Sequence, residues 1–259
     1  MPMVTIKSEA ELARMRRAGE IVAMALAAMK AMVRPGVTTA ELDSAAEELI
    51  RDHNGIPSFK GYHGFPGAIC ASVDDEIVHG IPGPRELKEG EIISVDVGVI
   101  WEGYQGDAAI TVAVGEVSPE AKRLMEATEA ALAATIAAAR DGARLGDVSH
   151  AVEATAAQWG YDVVRQYGGH GIGKAMHEAP HVPNWGPAGR GLRLRAGMTM
   201  ALEPMLTTDG SRTRTLDDGW TVVTANGDLS AHFEHTVVVT KDGGQVLTRI
   251  ADGAGPDRE

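Results

Sequence analysis

The chain has 259 residues, 44% hydrophobic and 23% charged, with a net charge of −12 and one cysteine, Cys70. That length supports a sizeable core as one large domain or two small ones, and the composition is that of a globular protein rather than a disordered or fibrous one. The acidic balance argues against a nucleic-acid backbone as the main partner, a lone cysteine excludes an internal disulfide and fits a reducing compartment, and the N-terminus lacks the basic-then-apolar pattern of a signal peptide.

Ser8 and Glu11 form a capping box ahead of a helix expected over about residues 9–33, with Met15, Ile21, Val22, Met24, Leu26 and Met29 as its core face. Its most apolar run, residues 21–29, is too short to span a bilayer. Thr38 and Glu41 start a second helix that runs to about His53, a solvated cation at the helix end. Residues 55–91 are irregular and rich in glycine, proline and aromatics, with a short strand over 68–73 and then Val78-His79-Gly80-Ile81-Pro82. An aromatic loop beside a lone histidine reads either as surface packing or as a pocket wall.

Residues 92–114 organise the chain. They read as a strand, a turn with Gly103 and Gly106, and a second strand, and each strand carries one acid, Asp96 and Asp107. In a regular hairpin centred between Trp101 and Glu102 the two carboxylates stand directly opposite, with Cβ atoms about 5 Å apart. Buried together they require a shared proton or a cation; a bulge or a wet face would relieve them instead.

Ser118-Pro119 opens an alanine-rich helix to about Arg140, and a further helix runs from about Gly146 to Trp159. Each helix pair leads into strands, which suggests a helix-helix-strand duplication, with one sheet flanked by four helices and no linker. The expected organisation is a single catalytic domain over 1–250, with pseudo-repeat halves at about 5–115 and 116–248 and a disordered tail at 251–259.

The second half supplies further candidate ligands on strands expected at 162–167, 199–203 and 231–239. His170 lies in Gly168-Gly169-His170-Gly171-Ile172-Gly173, Glu203 precedes Pro204, and Glu234 shares a strand face with His232 and Thr236. With Asp96 and Asp107 this makes four carboxylates and one imidazole. Two divalent ions neutralise four acids, and an oxygen-rich set with one imidazole suits Mn²⁺, Fe²⁺ or Co²⁺, with Zn²⁺ possible. Two such ions activate a water and polarise a carbonyl, which is hydrolase chemistry. The pattern His177-Glu178-Ala179-Pro180-His181 also fits His-Glu-x-x-His, but that motif needs a helix and Pro180 opposes one. His177 is better read as an unligated histidine that binds a substrate carbonyl or its oxyanion.

At this point the sequence resembles the methionine aminopeptidases of the pita-bread metallopeptidase fold, from about Thr5 to Thr248. The resemblance rests on Gly61-Tyr62-His63-Gly64-Phe65-Pro66, His79-Gly80-Ile81-Pro82, Asp96 with Asp107, Gly169-His170-Gly171-Ile172-Gly173 with His177, Glu203-Pro204 and Glu234-His235-Thr236. It implies an α+β fold with pseudo-twofold halves around a curved antiparallel sheet. It also implies five metal ligands, Asp96, Asp107, His170, Glu203 and Glu234, holding two divalent ions (Co²⁺, Mn²⁺, Fe²⁺ or Zn²⁺). Glu203 would act as general acid/base on the bridging water, His79 and His177 would position substrate, and Tyr62, Phe65, Cys70 and Trp220 would wall the methionine pocket. The 31-residue spacing of Glu203 and Glu234 resembles type I members. Met176 and Phe59 depart from the family pattern at the pocket.

The resemblance implies removal of the initiator methionine from nascent proteins with a small second residue, by a cytoplasmic monomer acting near the ribosome, with neither nucleic acid nor membrane as a partner. An X-Pro aminopeptidase and a non-catalytic binding protein on the same fold are the rivals.

Overall fold

The computed structural model describes residues 4–210 and 212–250, so the tail expected to be disordered lies outside the described residues. The first half contains helices α1 (Glu9–Met32) and α2 (Thr39–Asp52), strands β1 (Ile56–Pro57), β2 (Ile69–Val73), β3 (Glu76–Val78), β4 (Ile92–Trp101) and β5 (Tyr104–Ala113), and a 3₁₀ turn at Tyr62–Gly64. The second half contains α3 (Pro119–Ala138), α4 (Leu145–Trp159), β6 (Asp162–Val163), β7 (Gly168–Gly171), β8 (Glu178–Pro183), β9 (Thr199–Leu202) and β10 (Met205–Thr207). It closes with β11 (Thr213–Thr215), β12 (Val222–Thr224), β13 (Ser230–His232), β14 (His235–Val239) and β15 (Gly244–Val246).

The helices start where side chains satisfy the free N–H groups of the first turn. Ser8 with Glu11 and Thr38 with Glu41 form reciprocal capping boxes, and Ser118 caps α3 with Pro119 at its first position. His53 caps α2 with a ring nitrogen 2.9 Å from the Leu49 carbonyl, half-buried rather than freely solvated. The faces of α1 and α2 carrying Ile21, Val22, Leu42 and Ile50 pack on Ile69, Val95 and Val97 of one sheet. In the second half, Leu124, Ala127 and Val152 pack on Val163 and Leu206, and Leu132 and Val148 on Met200, Leu202 and Val237.

All these ladders are antiparallel. β1, β4 and β2 with β5 make a four-stranded sheet, and β15-β14-β9-β7-β8 a five-stranded one, joined by two three-stranded sheets. The expected single sheet is thus divided into four ladders. Two expected strands are also interrupted. Residues 162–167 pair only at β6, with His170 carried on the separate strand β7, and residues 231–239 split into β13 and β14 on either side of Phe233-Glu234. The expected strand 199–203 ends at Leu202, one residue short of Glu203.

The hairpin register corrects the expected facing of the two acids. Trp101 pairs with Tyr104, so the turn is the two residues Glu102 and Gly103, with φ of 46° and 78°. A two-residue turn with both central φ positive is the hairpin type that matches strand twist. Asp96 therefore pairs with Ala109 and Asp107 with Gly98. The shift is two residues, so both acids stay on one face, as diagonal rather than direct neighbours. Gly106 belongs to the strand and not the turn: α1 crosses so closely that a Cβ there would lie 2.8 Å from the Gly19 nitrogen.

The halves meet at a seam between β5 and residues 232–236. Glu234 N–H donates to the Ala109 carbonyl (2.9 Å) and Ala109 N–H to the Glu234 carbonyl (3.3 Å). Two residues to either side, threonine hydroxyls replace the ladder. Thr236 Oγ1 accepts from the Asp107 N–H (2.9 Å) and donates to the Asp107 carbonyl (2.8 Å). Thr111 Oγ1 does the same for His232, at 2.9 and 2.8 Å. Thr236 thus stands to Asp107 as Thr111 stands to His232. Thr236→Val keeps the shape and leaves both Asp107 backbone groups unpaired in the interior. We expect a loss of about 3 kcal/mol, read as a lower urea midpoint at constant slope; an unchanged midpoint would contradict this account of the seam.

Candidate metal centre

Every expected site residue lines a single cavity of about 470 Å³. Asp96 and Asp107 come from the hairpin, His170 from β7, Glu203 from the bend between β9 and β10, and Glu234 from the break between β13 and β14. Tyr62, Phe65, Cys70, His79, His177 and Trp220 form the walls, together with Phe59, His63 and Met176. Phe59 and Met176 meet over Gly98, where a Cβ would lie 2.8 Å from both Met176 Cε and Phe59 Cε1. The Phe65 and Trp220 rings pack edge to face at 5.1 Å, and His79 lies edge-on to Trp220 at 6.4 Å. Trp220 is held there by its turn, where the Asp218 carboxylate accepts the Trp220 and Thr221 N–H groups.

Among the described residues no lysine or arginine lines this cavity, although four carboxylates do. Burial pushes the Asp96 carboxyl up to about 7, and burial first, then the neighbouring acids, lifts Asp107, Glu203 and Glu234 well above the usual carboxylate range. Burial, with a smaller push from His177, lowers His79 and His170 to about 4, so both rings are neutral at neutral pH. Burial also lifts the Cys70 thiol far above its ordinary value, which removes it as a thiolate nucleophile and leaves it as apolar wall.

The donor atoms fit divalent cations. His170 Nδ1 lies 2.9 Å from the Gly171 carbonyl, so the neutral ring donates there and its Nε2 lone pair faces inward. That lone pair looks at Glu203 Oε1 at 3.6 Å and Asp107 Oδ2 at 3.9 Å, too far for hydrogen bonds and electrostatically unfavourable without a positive charge between them. Asp96 Oδ1, Asp107 Oδ1 and Glu234 Oε1 are buried with no hydrogen-bond partner. Asp107, His170 and Glu234 offer ligand atoms within 4.8 Å of one another, and so do Glu203, His232 and Glu234. Asp96 shares the hairpin face with Asp107 as its diagonal neighbour but lies outside both three-residue groups. Divalent cations would neutralise this arrangement, and the residues present would hold them.

His177 is placed by its neighbours. Its Nδ1 lies 2.9 Å from the Tyr62 hydroxyl, and its ring sits 4.2 Å from that of His170. Glu178 anchors the following residue through Lys7 at 2.8 Å and the Lys174 N–H at 2.8 Å. The His-Glu-x-x-His pattern is not a helix: Glu178–Pro183 is strand β8 and His181 is exposed. Two residues at the site had no role assigned from sequence. His63 lines the cavity with a φ of 48°, and His232 joins the second ligand group. For His232 the signal was present in its alternation with Glu234 and Thr236. A groove of about 530 Å³ behind the seam is slightly larger than this cavity, but none of the clustered ligand groups lies in it, so chemistry rather than volume marks the site.

The sequence model of metallopeptidase family M24 matches residues 13–241. Methionine aminopeptidase 1 of Bacillus subtilis is 47% identical over 248 residues, covering 96% of this chain and 100% of that protein. A crystal structure of methionine aminopeptidase from Thermotoga maritima superposes with a TM-score of 0.94 at 42% identity, covering 95% of this chain and 100% of the other. Prolidase from Pyrococcus furiosus shares the fold, with a TM-score of 0.77 at 20% identity, and this chain spans 65% of it. The pita-bread architecture expected from sequence is the one these structures share. No described helix is long and apolar enough to cross a membrane.

Proposed function

The chain belongs to metallopeptidase family M24, and from that membership we propose that it is a methionine aminopeptidase, a metal-dependent hydrolase that removes the N-terminal methionine from proteins. The observation that carries the reading is the set of Asp96, Asp107, His170, Glu203 and Glu234, buried or half-buried in one cavity of about 470 Å³. Relatives 40–49% identical over nearly their whole length carry that name.

Asp96, Asp107, His170, Glu203 and Glu234 would hold two divalent ions, Co²⁺, Mn²⁺, Fe²⁺ or Zn²⁺. Ions held there would supply an activated water nucleophile and polarise the scissile carbonyl. The chain's own groups do the rest. Phe65, Cys70, Trp220, Tyr62, Phe59 and Met176 take the methionine side chain and exclude water. With the Tyr62 hydroxyl donating to His177 Nδ1, 2.9 Å away, the neutral imidazole would carry its proton on Nε2. That makes His177 a donor toward the carbonyl oxygen as negative charge develops on it. Neutral His79 orients the substrate from the opposite wall. The Glu203 carboxylate takes a proton from the attacking water and delivers it to the leaving amine. Substrates would be nascent polypeptide N-termini with a small second residue, met in the cytoplasm near the ribosome by a monomer.

Hydrolysis of Met-Ala-Ser and Ala-Pro-Ala by the purified protein tests this. We expect methionine release from the first peptide alone, abolished by EDTA and restored by Co²⁺, Mn²⁺ or Fe²⁺. Cleavage of Ala-Pro-Ala in its place would assign an X-Pro aminopeptidase. No metal uptake and no hydrolysis would mean a binding protein on a hydrolase fold.

A further inference from the structure

We propose that His232 is a sixth, imidazole ligand of this metal centre, acting on the side of Glu203 and Glu234. The inference rests on the reading that the cavity binds divalent ions.

His232 is 2% exposed, and its Nε2 is buried without any hydrogen-bond partner. A histidine kept only for packing would have that nitrogen satisfied, since an unpaired buried polar atom costs about 1–3 kcal/mol. The main chain that carries the ring is fixed. Its backbone N–H and carbonyl are both bonded to Thr111 Oγ1, and β13 pairs it with Met205, two residues after Glu203. The nearest acid is Glu234, with Oε2 3.7 Å from Nε2. That is too long for a hydrogen bond. It is close to the separation of two ligand atoms on one ion: atoms each about 2.0–2.2 Å from a tetrahedral cation stand roughly 3.4 Å apart.

His170 gives the internal comparison. Its Nε2 faces Glu203 Oε1 at 3.6 Å and Asp107 Oδ2 at 3.9 Å, the same spacing between an imidazole nitrogen and carboxylate oxygens. Two ligand groups then meet at Glu234, Asp107–His170–Glu234 and Glu203–His232–Glu234, each with one imidazole; His232 stands behind the residues that line the cavity. The seam accounts for the matching placement, because its approximate twofold relates His232 to Asp107 through the paired threonines. A second nitrogen donor also shifts the preference of the centre toward Co²⁺, Fe²⁺ and Zn²⁺ and away from the oxygen-seeking Mg²⁺ and Mn²⁺.

Metal binding rather than turnover tests this. The EDTA-stripped full chain, labelled with ¹⁵N-histidine and loaded with ¹¹³Cd²⁺, should show two imidazole nitrogens split by cadmium, from His170 and His232. A single split nitrogen would overturn the proposal. In calorimetric titration with Co²⁺, H232Q should bind one of two ions at least about tenfold more weakly than the unaltered chain, with a changed visible Co²⁺ band. An isotherm and band identical to those of the unaltered chain would also overturn it. The cadmium measurement needs no variant, so it decides the matter even if H232Q does not fold. Failure of the unaltered chain to take up either metal would overturn the metal-centre reading along with this one, whereas uptake with one imidazole bound would overturn this one alone.

Discussion

Glu203→Gln is expected to lower kcat for Met-Ala-Ser by about 10²–10⁴-fold, the range lost with a positioned general acid/base. The substitution keeps the size and shape of the side chain, and the backbone around it is fixed. The Glu203 carbonyl accepts a hydrogen bond of 2.9 Å from buried Asn184, and Pro204 follows. What changes is chemical: an amide cannot take a proton from water and is a poor ligand. Burial first, then the neighbouring Asp96 charge, holds the Glu203 carboxyl well above its ordinary range, which favours keeping a proton once it is taken. The loss should fall on kcat more than on KM, because the apolar walls that take the methionine side chain are untouched. Metal content measured beside the kinetics separates a lost ligand from a lost proton carrier. A Gln variant within tenfold of the parent at full metal loading would remove Glu203 from the proposed proton transfer.

The second large effect is on the metal-free protein. Its melting temperature is expected to fall by on the order of 10 °C between about pH 6.5 and pH 8, and divalent metal should abolish most of that fall. Two opposing sets of groups decide the sign. The Asp96, Asp107, Glu203 and Glu234 carboxyls have raised folded values, Asp96 to about 7 and the others well above the ordinary range. They hold protons in the folded chain that the unfolded chain releases, so stability is lost as pH rises through the folded values. His79 and His170 at about 4 and His232 at about 3 do the reverse, because the unfolded chain protonates them first. Their contribution grows with pH only up to the unfolded histidine value near 6.5. Below that the two sets offset each other, and above it only the carboxyls continue to titrate. Each carboxyl then changes stability by up to about 1.4 kcal/mol per pH unit. Calorimetric melts of EDTA-treated protein across this range check it, and a melting temperature that is flat or rises toward pH 8 would show that the four acids do not hold extra protons in the folded, metal-free chain.

The membership of the site was legible in the sequence for identifiable reasons. An acid inside a β-branched run, a histidine between glycines and a Glu-Pro at a strand end are each locally unusual, and local unusualness is readable without a fold. The capping boxes at Ser8 and Thr38 and the proline after Ser118 set helix starts within a residue, because those signals act over a single turn. Register was not legible. Placing the turn at Trp101-Glu102 rather than Glu102-Gly103 moved Asp107 two positions along its partner, and nothing within one strand distinguishes the two. The strand breaks at Phe233-Glu234 and after Val163 were missed for a related reason. An apolar alternating stretch looks like one strand whether it pairs along its length or changes partners partway.

The sequence by itself therefore singled out residues that the fold gathers in one cavity: four acids and His170, a wall of aromatics, and the histidines beside them. Only the tertiary structure decided how they act together. Asp96 became a diagonal neighbour of Asp107 because turn geometry sets register. His170 turned its lone pair inward because the Gly171 carbonyl takes its other nitrogen. His232 was drawn into the ligand group by the Thr111 and Thr236 seam, which joins segments more than a hundred residues apart in the chain. Such long-range pairings leave no trace in local periodicity, because their energy comes from contacts that exist only once both halves have folded.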